Sequence, residues 1–82
     1  MSGKFLSRAW IAPLPARQKL VLMTLGDWSN EDGNFSTCLY RVSDQCGMSA
    51  VKTNRCIIRL VNKGFVQLQE GSDYAQLSGA LL

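Results

Sequence analysis

The sequence predicts a mainly α domain, three helices followed by a small C-terminal β-hairpin. Three observations carry that expectation. Apolar residues recur at helical spacing from Leu20 to Trp28 and from Leu39 to Cys46, and Ile57 and Leu60 do so with Thr53 one turn before them. Gly47-Met48-Ser49 divides the second run from the third, with a glycine suited to a left-handed helix end and a serine suited to a helix start. After Gly64 the period changes, and Phe65-Val-Gln-Leu-Gln69 alternates in part, as a half-buried strand does.

Taken in order, residues 1–14 read as an N-terminal arm and residues 15–82 as one domain. The arm mixes Lys4 and Arg8 with Phe5, Leu6, Trp10 and Ile11, and Pro13 and Pro15 prevent a helix from running through it. Trp10 and Ile11 are expected to pack on the body. The first helix is expected over Ala16–Ser29, with Pro15 at its start. Leu20, Val21, Leu22, Met23, Leu25 and Trp28 give it a broad apolar surface, which suits the central helix of a core. Trp10, Trp28 and Phe35 are read as core aromatics. Asn30-Glu-Asp-Gly33 breaks the helix with turn residues, and Asn34-Phe35-Ser36 is a candidate short strand to pair with the hairpin.

The second helix is expected from Thr37 or Cys38 to Cys46, capped by Ser36 or Thr37, with Leu39, Val42 and Cys46 on its inner face. Gly47 is its left-handed cap. Ser49 caps the third helix, Ala50 to about Lys63. Thr53, Ile57, Leu60 and Gly64 share its inward face. Glu70-Gly-Ser-Asp73 is read as a turn and Tyr74–Ser78 as the second hairpin strand.

Bulk properties narrow the function classes. The chain has 82 residues, 46% of them hydrophobic, and a net charge of +3. That suffices for one small domain with a modest core. The surplus charge is unevenly placed. No acid lies between Asp44 and Glu70, whereas Lys52, Arg55, Arg59 and Lys63 all do, at spacings of 3, 4 and 4 that form one stripe on the third helix. Cys38, Cys46 and Cys56 are an odd set with no His and no Cys-x-x-Cys pair, so no zinc site is expected. They are read as reduced, partly buried thiols, with a Cys38–Cys46 disulfide as the alternative. Asp27, Glu31 and Asp32 lack the spacing of a calcium loop. No nucleophile–base pair and no glycine-rich phosphate loop is present, so neither catalysis nor a cofactor is expected. With no long apolar run, the chain is expected to avoid membranes and to reside in the cytoplasm.

The order of motifs resembles the winged helix-turn-helix domains of phage and bacterial replication initiators and transcription regulators. The shared elements are Lys19-Leu-Val-Leu22, Glu31-Asp-Gly33, Phe35, Gly47-Met-Ser49 and Leu60-Val-Asn-Lys-Gly64-Phe65, over roughly residues 15 to 68. The resemblance implies three helices plus a C-terminal two- or three-stranded wing, with the third helix in the major groove of double-stranded DNA. It makes Ala50, Val51, Lys52, Asn54 and Arg55 the candidate base readers. Arg can bind guanine and Asn adenine, each through two hydrogen bonds. Arg41, Arg59 and Lys63 would meet phosphates, and Ser49 would cap the helix and touch one. The arm could also reach DNA through Lys4 and Arg8.

The chain departs from that pattern at several places. Lys52-Thr53 replaces the usual Thr-Val pair, the segment from Phe35 to Gly47 is about one residue longer, and the expected wing tip carries Glu70 and Asp73. Val51 and Ile58 fall on the outer side of the third helix. A homodimer, joined through Val51 and Ile58 or through the tail Ala80-Leu-Leu82, would supply a second half-site. The alternative expectation is a small phage-type, anti-CRISPR-like inhibitor that docks the same cationic helix on a host protein complex.

Overall fold

A computed structural model describes residues 11–82. The elements are α1 (Ala16–Asp27), β1 (Asn34–Thr37), α2 (Leu39–Cys46), α3 (Ala50–Asn62), β2 (Val66–Leu68) and β3 (Leu77–Leu81). Among the described residues, three helices thus pack with a three-stranded antiparallel sheet in the order β1-β3-β2. The early strand does pair with the C-terminal ones: Phe35 stands opposite Gly79 and Thr37 opposite Leu77.

Helix α1 follows Pro15, which holds the cap position with a φ of −55° and an extended ψ of 150°. Val21, Leu22 and Leu25 are buried, and Gln18 shares their stripe. The apolar surface is narrower than the composition suggests, because Leu20 is 42% exposed. Trp28 also departs from its expected core place and stays 38% exposed. It lies just past the last turn, where its indole N–H donates to Gln45 Oε1 at 3.1 Å, so the ring's polar edge stays at the surface. Asn30 then reverses the chain. Its side-chain oxygen accepts from the N–H groups of Asp32 and Asn34, both at 3.0 Å, while Gly33 adopts a φ of +86°.

Strand β1 runs through Thr37, so α2 starts later than the sequence suggests and neither Ser36 nor Thr37 caps it. Cys38 occupies the cap position without a side-chain bond, and the N–H of Leu39 is satisfied by the carbonyl of Tyr74 at 2.9 Å. Leu39 and Val42 are fully buried and Cys46 half so. Gly47 ends the helix at φ +67°, with Met48 N–H bonding back to Ser43 at 3.0 Å.

The inner face of α3 is Thr53, Cys56, Ile57 and Leu60, all buried. Gly64, expected on that face, is exposed and lies past the helix end with φ +85°. Thr53 is a polar residue at a core position, and its hydroxyl is satisfied by donating to the Ser49 carbonyl at 2.9 Å.

The hairpin differs most from expectation. Tyr74–Gln76 is loop, and β3 occupies Leu77–Leu81. Asp73 causes the shift: its carboxylate accepts from the N–H groups of Ala75 and Gln76, both at 2.9 Å, and so removes them from strand pairing. As a result most of the tail is built into the sheet. Ala80 and Leu81 lie in the central strand and Leu81 is buried, although Leu82 remains exposed.

All three cysteines are free thiols, with no Cys38–Cys46 disulfide. Burial pushes the Cys46 thiol above its ordinary value; a hydrogen bond with Thr24 opposes the shift, and the nearby Cys56 adds to it. Cys46 is therefore a thiol rather than a thiolate at neutral pH. In the arm, Ile11 is 79% exposed instead of packed. The chain turns Ala12 inward at that point, and the Leu14 N–H folds back to the Ala12 carbonyl at 2.8 Å. Lys4, Arg8 and Trp10 lie outside the described residues.

Candidate nucleic-acid interface

The site is built on the solvent face of α3. Ser49 sets where that helix starts. Its backbone is extended (φ −67°, ψ 155°) and its hydroxyl accepts the Lys52 N–H at 3.2 Å. Because the four buried residues of α3 fix its rotation, the opposite side must carry Val51, Lys52, Arg55, Ile58, Arg59 and Asn62, all exposed. Arg55, Ile58, Arg59 and Asn62 line a shallow recess on that side.

Lys52, Arg55 and Arg59 share a feature that matters for binding. Among the described residues none of their charged groups has a hydrogen-bond or ion-pair partner within the domain. An exposed cation with no internal partner is available to an external anion at no cost in lost contacts. No carboxylate is present on α3 to offset them.

Other predicted residues are placed differently. Lys63, at the end of the stripe, is turned toward α1, where its ammonium donates to the buried Gln18 Oε1 at 2.7 Å. Gln18 was legible in principle: it precedes Val21, Leu22 and Leu25 by 3, 4 and 7 residues and so belongs to the inward stripe of α1. Ala50 is half-buried and packs against the core, and Asn54 is half-buried on the flank away from Lys63. Val51 and Ile58 project outward as expected, 58% and 49% exposed. Arg41 lies on α2, not α3. Its guanidinium carbon sits 5.7 Å from the centre of the Trp28 ring, a cation–π distance.

The hairpin loop presents Glu70 and Asp73, both exposed. Asp73 is committed to its turn, and Gly71 takes φ +85° to close the loop. Tyr74 stacks edge-on against Tyr40, with ring centres 6.3 Å apart.

Removing the cap is a direct check on how this face is organised. Ser49→Ala is expected to cost about 1 kcal/mol, read as a lower urea midpoint with an unchanged slope. An unchanged midpoint would mean the hydroxyl contributes nothing to the start of α3.

Among the described residues no helix is long and apolar enough to cross a membrane, and no group of His, Cys, Asp and Glu side chains is placed to hold a metal ion. No protein-family model, curated protein or solved structure matches the chain.

Proposed function

We propose that the chain is a DNA-binding domain of winged helix-turn-helix architecture, acting as a small regulator or replication-associated factor of phage or bacterial type, with α3 lying in the major groove. The element order and the β1-β3-β2 sheet suit that architecture. The observation that carries the function is the solvent face of α3, where Lys52, Arg55 and Arg59 stand exposed with no partner among the described residues. In this reading Arg55, close to the helix start, contacts a base edge, and Lys52 and Arg59 neutralise phosphates. Lys63 plays a smaller part than its place in the stripe suggests, because Gln18 already holds it.

Site selection from random duplexes tests this division of roles. Arg55→Ala is expected to relax the selected sequence at a cost of about 1–3 kcal/mol, whereas Arg59→Ala weakens binding to all duplexes alike. Two variants that select and bind like the parent would remove α3 from the groove.

A second reading has its own support. Val51 and Ile58 put aliphatic surface in the middle of the same face, and Glu70 and Asp73 put negative charge at the hairpin tip. Both features suit docking on a protein, as an inhibitor of a host complex would require. In that case the parent fails to bind duplex DNA at low salt.

A further inference from the structure

Two exposed aliphatic side chains stand where α3 is farthest from the core. Residues advance by ~100° along a helix, so Val51 and Ile58, seven residues apart, fall within about 20° of one another. The buried residues Thr53, Cys56, Ile57 and Leu60 centre on the opposite side. Val51 is 58% exposed and Ile58 49%, and neither belongs to the core. They form a ridge along the crest of the solvent face. From one to the other is about 10 Å along the axis, the rise of about three base pairs.

The cations are not spread evenly around this ridge. Counted from Val51, Arg55 lies about 40° round the helix, Arg59 about 80° and Lys52 about 100°, all in the same direction. The other flank carries Asn54 and Val61, both half-buried and uncharged. Ile58 shares a shallow recess with Arg55, Arg59 and Asn62. The face therefore has an apolar crest, an arginine beside it and two further cations down one side, with no carboxylate on the helix.

That layout matches a particular ligand. A helix in the major groove turns its crest to the floor of the groove and its flank to a wall of phosphates. The floor is almost wholly polar. Its apolar feature is the methyl group on C5 of a pyrimidine, carried by thymine and, at the same position, by 5-methylcytosine. We propose that Val51 and Ile58 recognise pyrimidine C5-methyl groups on base pairs either side of the one that Arg55 contacts, while Lys52 and Arg59 hold the phosphate wall. The proposal rests on the reading of α3 as the groove-facing helix. It gives the aliphatic pair a place in the DNA contact, the same pair that suits a protein partner in the second reading.

A random duplex pool made with thymine, and with 5-methylcytosine in place of cytosine, supplies the test. The full chain selects its sites from this pool at low salt. The selected duplexes are then remade with uracil for thymine, or with cytosine for 5-methylcytosine. Each change removes methyl groups and leaves base pairing intact. Binding is expected to weaken about fourfold per methyl contacted, as burial of a single methyl or methylene group implies. Loss on the uracil duplexes assigns the contact to thymine, and loss on the cytosine duplexes assigns it to 5-methylcytosine. The Val51→Ala/Ile58→Ala variant is expected to bind methylated and methyl-free duplexes alike. Both residues are exposed and alanine favours a helix, so this variant is expected to fold and to melt near the parent. Equal binding of the parent to all three duplex sets, or a variant that keeps the parent's methyl dependence, overturns the proposal and leaves the DNA reading of α3 in place. A parent that selects no duplex overturns that reading together with the proposal, and leaves the ridge to a protein partner.

Discussion

Leu60→Ala is expected to destabilise the domain by about 2–5 kcal/mol. Leu60 is fully buried on α3, the helix that packs against α1, α2 and β2 together. Truncating it opens a cavity where these elements meet, and the surroundings can close it only in part. A domain of this size typically has about 5–15 kcal/mol in total, and each kcal/mol moves the melting point by roughly 4–8 °C. The melting temperature by circular dichroism should therefore fall by at least about 8 °C. An unchanged melt would show that the inward face of α3 is wrongly assigned, and with it the identity of the outward one. The variant therefore bears on the site as much as on the core.

Gly79→Ala is expected to be nearly as damaging, although it adds a single methyl group. Gly79 lies in the central strand, opposite Phe35 on one side and Leu68 on the other. A Cβ there would clash with the carbonyl oxygen of Gln67 and lie 3.1 Å from both Leu68 Cα and Phe35 Cζ. The obstruction includes backbone, which cannot swing aside like the end of a long side chain. Overpacking of this kind costs about 1–3 kcal/mol, occasionally more. Urea unfolding should show a lower midpoint with an unchanged slope. A midpoint equal to the parent's would mean that β3 is not held between β1 and β2 in this register.

Much of this architecture was legible in the chain. Helical periodicity located all three helices, and Gly47 and Ser49 marked the junction between α2 and α3, because left-handed backbone and a hydroxyl cap are local demands that single residues meet. The stripe of Lys52, Arg55 and Arg59 followed from spacing alone. The misreadings came where a side chain's bonding partner is distant in sequence or competes with a local pattern. Tyr74–Ser78 alternates well enough for a strand, yet the Asp73 carboxylate captures the next N–H groups and delays β3 to Leu77. Trp28 has the apolar spacing of a core residue, but its N–H finds Gln45 on another helix. Lys63 belongs to the stripe by spacing, and only the approach of α1 shows that Gln18 takes it. The meeting of the hairpin loop with the head of α2, where the Tyr74 carbonyl accepts the Leu39 N–H at 2.9 Å, could not be read at all, since the two segments are far apart in sequence.

If Lys52, Arg55 and Arg59 on α3 face DNA, binding must weaken with salt. Equilibrium binding to random-sequence duplex at 50 mM and 200 mM salt, with the Arg55→Ala/Arg59→Ala variant alongside, tests it most directly. Each phosphate contact contributes about −0.9 to the slope of log affinity against log salt. Measurable binding is expected at the lower salt, with a clear loss at the higher, and the variant should bind more weakly with a slope shallower by about 1. A parent that does not bind at the lower salt, or a variant with the parent's affinity and slope, would contradict it.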